Sequence, residues 1–411
     1  MLDLYYSPGV QRDALRNGPL GPHVEDYARL LASQGYPLYT GHWKLRLVAK
    51  LSLWLSRRRL GLNQLDEDRI AVFLKGRKKD VERGGARRTL MELLQLLRRN
   101  KIIPSRSVPV DTTPIEQLLQ NYSLFLQQER GLKPSSIHRY SAIIGIFLQK
   151  RFGTGKICLR NLGVGDISSF LLRQSSSGKS WGARDGAIAL RSFLAFLTRT
   201  GRIPTNLAAS VPSVACWPLS GLPRFLEPAH VEKLLTTCNL NSQIGRRDHA
   251  VLLLLARLGL RSGEVVHLSL DDINWAAGEV LIRGKSARED RLPLPPDVGQ
   301  ALADYLKRDR PVCSCRRVFI RAKAPHLGFF GPAAIGNILN RALTRAALNP
   351  SCRGTGLLRR SLATRMLRGG ASLTQIGEVL RHQLAQTTEI YAKVDLVALR
   401  ALAQPWPGGE Q

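Results

Sequence analysis

The first half of the chain repeats itself, and that constrains its fold more than any other feature. Leu62-Asn63-Gln64-Leu65, followed by Ile70 and Phe73-Leu74, matches Leu159-Arg160-Asn161-Leu162, followed by Ile167 and Phe170-Leu171, at a constant offset of 97 residues. Gly85-Ala86-Arg87 and Gly182-Ala183-Arg184 keep that offset, and Ile103-Pro104 meets Ile203-Pro204 after a small insertion. Such self-similarity means one supersecondary unit used twice; two Leu- and Arg-rich helical stretches also match by composition alone. In the second copy Ile115, Leu118, Leu119 and Tyr122 form the i, i+3, i+4, i+7 stripe of an amphipathic helix. Ser136–Leu148 and Ala187–Leu197 repeat the pattern, with Lys133-Pro134-Ser135 as a break before the first of them. We expect a leader over residues 1–19 and two helical modules with basic outer faces, over 20–107 and 111–212.

Pro212, Pro218 and Pro223 rule out a continuous helix into the second half, so 213–224 reads as a linker. A second kind of domain follows over 225–402, with a tail over 403–411. It opens with Pro228 at a helix start and runs through Asp248–Leu258 as an apolar helix. The period then changes: Gly278–Ile282 and Arg291–Leu294 read as a hairpin, with Val318–Ile320 as a third strand. Helices resume from Pro332. The expected fold class is mainly α with a small antiparallel sheet, helical modules preceding a mixed α/β domain.

Charge points to the partner. A formal net charge of +30 over 411 residues surrounds the chain with a field that favours a polyanion, and nucleic acid is the first candidate. With 44% hydrophobic residues it can fill real cores and is not a disordered basic tail. Its start lacks a basic region followed by an apolar run, and its longest apolar stretch, Ala250–Ala256, is far short of a bilayer span. The expectation is a cytoplasmic protein with no membrane contact. Cys158, Cys216, Cys238, Cys313, Cys315 and Cys352 include only one close pair, which reads as reduced buried thiols rather than a zinc site or disulfide framework.

Chemistry-bearing residues follow in the order Arg261, Lys285, Arg359, His382, Tyr391. Gly259 is expected to end one helix in the left-handed conformation and Ser262 to cap the next, leaving Arg261 beside a helix N-terminus that favours an anion. A solvated turn arginine fits the same segment. Arg359 shares a helix face with Leu362, Ala363 and Met366, so it needs an anion, either a phosphate or a buried Asp or Glu. Arg360, Arg365 and Arg368 point elsewhere, to solvent or a DNA backbone. Lys285 lies in the loop Arg283–Arg288, where an amine is simply exposed or delivers a proton to a leaving oxygen. Read alone, His382 is a helix-end histidine and Tyr391 a core residue. Read together, a tyrosine is a nucleophile, two guanidiniums clamp one phosphate, and lysine and imidazole move protons.

In that order and spacing the chain resembles the tyrosine recombinase, or phage integrase, family. The matching segments are Ala256-Arg257-Leu258-Gly259-Leu260-Arg261-Ser262-Gly263-Glu264, Lys285, Leu358-Arg359-Arg360-Ser361-Leu362-Ala363-Thr364, Leu380-Arg381-His382 and Thr387-Thr388-Glu389-Ile390-Tyr391. The likeness covers 225–400; 111–212 is similar to the family's helical core-binding domain, and 20–107 enters only through the internal repeat. The resemblance implies a site-specific recombinase or integrase, of the kind carried by mobile elements, that attacks a scissile phosphate with Tyr391. A 3′-phosphotyrosyl bond and a free 5′-hydroxyl would result. Arg261 and Arg359 would hold the non-bridging oxygens, His382 would donate a further hydrogen bond and Lys285 would protonate the departing oxygen. It also implies no ATP, magnesium or zinc, in keeping with the missing Gly-Lys phosphate loop and metal-ligand spacing. The implied partners are double-stranded DNA, bound mainly through phosphates, and further recombinase subunits.

Two positions depart from the family. Its His-x-x-Arg has Gly356 at the first place here, and Arg381 stands where Leu-Gly-His is common. The missing histidine accepts the tyrosine proton in the family, and losing a general base costs about 10²–10⁴ in rate. Gly356 therefore supports a second reading, a DNA-binding subunit of a recombination complex with weakened or no strand cleavage. A helix-turn-helix regulator over Ser372–Lys393 is a third, and it leaves Arg261, Lys285 and the repeat unexplained.

Overall fold

The computed structural model describes residues 2–7, 9–77, 84–104, 113–153, 157–176, 182–214, 222–284, 289–394 and 399–400. Its chain divides into two compact units, one made of 1–106 with 221–411 and the other of 107–220. Among the described residues no helix is long and apolar enough to cross a membrane.

In the first unit, residues 2–104 form helices α1 (Val10–Leu15), α2 (Val24–Ser33), α3 (Leu38–Arg57), α4 (Glu67–Lys75) and α5 (Ala86–Arg99). They close around a core that includes Tyr27, Leu31, Leu45, Leu51, Phe73, Leu90 and Leu97. Asp66 caps α4, its carboxylate accepting from the Arg69 N–H at 2.8 Å. The leader is part of this body: Ser52 Oγ donates to the Asn17 carbonyl at 2.7 Å and accepts from the Leu20 N–H at 3.1 Å.

The second unit carries α6 (Pro114–Gln128), α7 (Pro134–Phe152), α8 (Val164–Ser176) and α9 (Ala183–Arg199). Thr113 and Glu116 form a capping box at the start of α6. Its internal construction parallels that of the first module. A 3₁₀ turn precedes α4 at Leu62–Gln64 and α8 at Leu159–Asn161. Tyr27 Oη donates to the Thr89 carbonyl at 3.3 Å, while Tyr122 Oη lies 3.5 Å from the Ala189 carbonyl and 2.9 Å from Ser192 Oγ. The Ile102 and Arg202 amides close α5 and α9 with 2.9 Å bonds to the Leu97 and Leu197 carbonyls. Both last helices start after a glycine, but α5 has 14 residues and α9 has 17, so the insertion is one extra helical turn.

Residues 222–394 complete the first unit. Helices α10 (Pro228–Thr236), α11 (Gln243–Arg257) and α12 (Ser262–His267) lead into strands β1 (Ile273–Asn274), β2 (Glu279–Arg283) and β3 (Glu289–Pro293). Then come α13 (Pro296–Arg308), α14 (Ala333–Arg345), α15 (Gly356–Arg368), α16 (Leu373–Val379), α17 (Gln386–Glu389) and a 3₁₀ turn over Ile390–Val394. The apolar run of α11 is buried all round, against α10, α13, α14 and α15. A fully buried leucine contributes about 1.5–3 kcal/mol, so this helix anchors everything that follows it. Asp248 is buried within it, accepting from Arg247 at 2.8 Å and Arg341 at 3.1 Å.

The sheet is antiparallel in the order β1-β2-β3, with Ile273 opposite Val280 and Ile282 opposite Asp290. Val280 and Ile282 point into the core, as period-two alternation requires. One expectation is corrected: Val318–Ile320 is not its third strand. The Val318 N–H bonds the Leu268 carbonyl, and Ile320 makes only an isolated bridge to Gly328, so that run is spent tying loops together. The thiol reading is also revised: Cys158, Cys238, Cys313, Cys315 and Cys352 are free, but only Cys238 is buried. Cys216 and the tail beyond residue 400 lie outside the described residues.

Candidate active site

Gly259 ends α11 with φ +58°, the left-handed conformation that glycine adopts at least cost. The residue that opens α12 is Arg261 itself, not Ser262. Its backbone N–H donates to Glu264 Oε2 at 2.8 Å, and its guanidinium reaches Glu264 Oε1 at 2.8 Å. The serine hydroxyl is not needed as a cap because the glutamate three residues on takes up the exposed amide. Arg261 keeps 40% of its side chain exposed, whereas Glu264 is 5% exposed. Burial pushes the Glu264 carboxyl up, but the Arg381 charge and the bonds from Arg261 outweigh it and hold the group below its ordinary value.

Arg359 is buried on α15, and its acceptors are neither an Asp nor a Glu. Nη1 donates to the Gly259 carbonyl at 2.5 Å and Nη2 to the Leu380 carbonyl. Two carbonyls orient a guanidinium but do not neutralise it. Burial first, then the charges of Arg261 and Arg381, push its pKa down to about 10. Those neighbours, with Glu264 and Tyr391, are the groups whose charge it feels. Such a site is electrostatically incomplete without a further anion.

The third strip of the site is residues 380–391. Helix α16 closes with the His382 N–H on the Gly377 carbonyl and the Arg381 N–H on the Glu378 carbonyl, both at 2.9 Å, the paired bonds of a Schellman stop. That stop sets the direction of His382. Its Nδ1 lies 2.7 Å from Thr388 Oγ1. Burial and then the charges of Arg359, Arg261 and Arg381 press its pKa down to about 4, so the ring is neutral at pH 7. Tyr391 is buried with Leu362, Ala363, Ile376 and Leu380. Burial raises the pKa of its phenol, against the charges of Arg359 and Arg360.

An open cleft of about 240 Å³ is lined by Arg261, Gly284, Asp290, Arg381, His382 and Thr387, among others. Arg359 and Tyr391, 8% and 4% exposed, are not among its lining residues. They join the cluster through the electrostatic links just described. Lys285 lies outside the described residues; Gly284, its neighbour in sequence, borders the cleft. Gly356 is the first residue of α15, and a Cβ there would meet only Arg360 Nη1, at 3.2 Å.

Two other arginines of α15 have protein partners as well: Arg368 is exposed, as expected, and Arg360 is half-buried. Arg360 donates to the Arg224 carbonyl at 2.7 Å, and Arg368 pairs with Glu227 at 2.6 Å. Three residues of the site, Glu264, Arg381 and Thr388, have no role that sequence reasoning found. Glu264 had a signal in its place three residues after a helix-opening residue; Arg381 is set by a contact 117 residues away, and Thr388 by the turn that folds it back on His382.

Residues 224–396 match the model of the phage integrase family. The protein y4rA of Sinorhizobium fredii (strain NBRC 101917 / NGR234), which carries the name of an integrase/recombinase, is 43% identical over 96% of this chain and 96% of its own. Tyrosine recombinase XerD of Listeria monocytogenes serovar 1/2a is 30% identical over 70% of this chain and 97% of its own. Among solved structures, XerH site-specific recombinase bound to palindromic difH substrate aligns with a TM-score of 0.55, covering 74% of this chain and 91% of that one. A lambda integrase (75–356) dimer bound to a COC′ core site aligns at 0.52, covering 67% and 94%. Both are 18% identical to this chain, a likeness of fold.

Proposed function

The chain belongs to the phage integrase family and is a site-specific tyrosine recombinase acting on DNA; from that premise we propose that Tyr391 is its nucleophile and that Arg261, Arg359 and His382 hold the scissile phosphate. The observation that carries this reading is the electrostatics around Arg359: its buried guanidinium rests on two backbone carbonyls and feels the charges of Arg261 and Arg381, which share the buried carboxylate of Glu264 beside one cleft. A phosphate entering there supplies the missing negative charge, and paired N–H donors suit its non-bridging oxygens.

In the forward step the Tyr391 oxygen bonds to phosphorus, the P–O5′ bond breaks, and Lys285 gives a proton to the leaving 5′-oxygen. The 5′-hydroxyl of the exchanged strand reverses these events, so no bond energy is lost to water. His382, neutral, donates to the phosphate without adding a competing charge. For attack the phenol has to leave its apolar seat and meet the cleft, and DNA binding supplies that change. A suicide substrate that traps the covalent adduct tests the proposal, since Tyr391→Phe abolishes the adduct.

We take residues 20–107 and 111–212 as two copies of one module, supported by their common turn, buried tyrosine bond and helix closure. Helix α3 supports duplex contact by the first copy. It has no acidic residue in 20, and Tyr39, Arg46, Lys50, Leu53 and Arg57 fall on one exposed or half-buried stripe about 27 Å long. Such a stripe suits phosphates spaced along a groove wall.

A second reading, a subunit with weakened cleavage, rests on Gly356. With no imidazole there, the phenol proton passes to solvent, and the rate carries the cost of a missing base.

A further inference from the structure

We propose that Arg381 is a positioning residue that fixes the guanidinium of Arg261 through the carboxylate of Glu264; this rests on the reading of Arg261 as a phosphate clamp. Arg381 occupies a left-handed position, φ +55°, at the stop of α16. Glycine adopts that conformation freely, whereas a residue with a Cβ is strained in it. An arginine there needs a compensating contact, and one is present.

Arg381 Nη2 donates to Glu264 Oε2 at 2.8 Å, with both side chains about 95% buried. Glu264 Oε1 accepts from Arg261 Nη1 at 2.8 Å, and Arg261 Nη2 lies 3.4 Å from the Arg381 carbonyl. The three residues thus close a ring in which both ends of the Arg261 fork are referred to Arg381, once through Glu264 and once through its backbone. At 4% exposure the Arg381 guanidinium is itself withheld from a ligand in the cleft. Arg261, 40% exposed, is the free hand. Without Arg381 the glutamate loses one of its two arginines and the freedom to swing returns to Arg261. A misplacement of about 1 Å in such a group costs about 10²-fold in rate.

The test compares suicide substrates carrying either the natural scissile phosphodiester or a methylphosphonate, each stereoisomer separately. In the latter one non-bridging oxygen becomes an uncharged methyl group. If Arg261 clamps that oxygen, Arg261→Ala slows cleavage of the phosphodiester and loses most of its penalty on the matching methylphosphonate. Arg381→Gly is then expected to slow phosphodiester cleavage by about 10²-fold and to lose its penalty on the same stereoisomer. Arg381→Lys, which keeps the charge without the planar fork, recovers part of the rate and guards against a folding defect. Full phosphodiester activity in Arg381→Gly, or an equal penalty on both substrates, overturns the proposal. An Arg261→Ala penalty indifferent to the substrate removes the clamp reading instead, and this inference with it.

Discussion

His382 Nδ1 lies 2.7 Å from the hydroxyl of Thr388, six residues later. With Thr388 as the donor, the ring carries its own hydrogen on Nε2 and offers it to the cleft. The neutral state has a thermodynamic signature. A ring whose folded pKa of about 4 lies below its ordinary 6.5 binds fewer protons folded than unfolded between those values. Its contribution to stability is complete above about pH 6.5 and is lost as pH falls toward 4. His249, also pushed down by burial, adds to the same slope, so the comparison must be between variants. Urea unfolding of His382→Asn is expected to show a shallower loss of stability from pH 6.5 to 4 than the parent. An unchanged slope would mean that the imidazole is not held neutral by its neighbours.

Gly356→His restores the acid–base group on the same helix as Arg359, one turn earlier. The added Cβ meets only the flexible end of Arg360. Cleavage of a suicide substrate is expected to rise by up to about 10²-fold, the lower end of what a positioned base contributes. No gain would show that the phenol already disposes of its proton by another route.

Binding to duplex DNA is expected to depend on α3. Replacing Arg46 and Arg57 together by Glu should weaken affinity and reduce the slope of log K against log salt by roughly two, about 0.9 for each phosphate the protein no longer neutralises. Both side chains are exposed, so stability should stay within about 0.5 kcal/mol of the parent. Unaltered affinity and slope would place the duplex on some other face of the module.

Local rules made much of this structure legible. Apolar stripes marked α6, α7 and α9, the turn before a repeated Ile and Phe-Leu recurred in both modules, and Gly259 announced the joint that presents Arg261. What stayed hidden depends on partners distant in sequence. That Arg359 would end on two backbone carbonyls, of Gly259 and Leu380, could not be read from its helix face, which only said that an acceptor was needed. The role of Arg381 was hidden for the same reason: a lone arginine in place of glycine looks like a blemish until Glu264, 117 residues earlier, is placed beside it. Val318–Ile320 has the composition of a strand, yet its edge bonds go to loops, and only the packed structure decides that competition.

That Tyr391 carries the covalent intermediate can be tested on the protein itself. The most direct measurement is to trap the protein on a nicked or otherwise irreversible DNA substrate, digest the adduct and identify the nucleotide-bearing peptide by mass. The expected product is a 3′-phosphoryl linkage to Tyr391, with no adduct from Tyr391→Phe. A linkage to any other residue, or an adduct that survives that substitution, would contradict it.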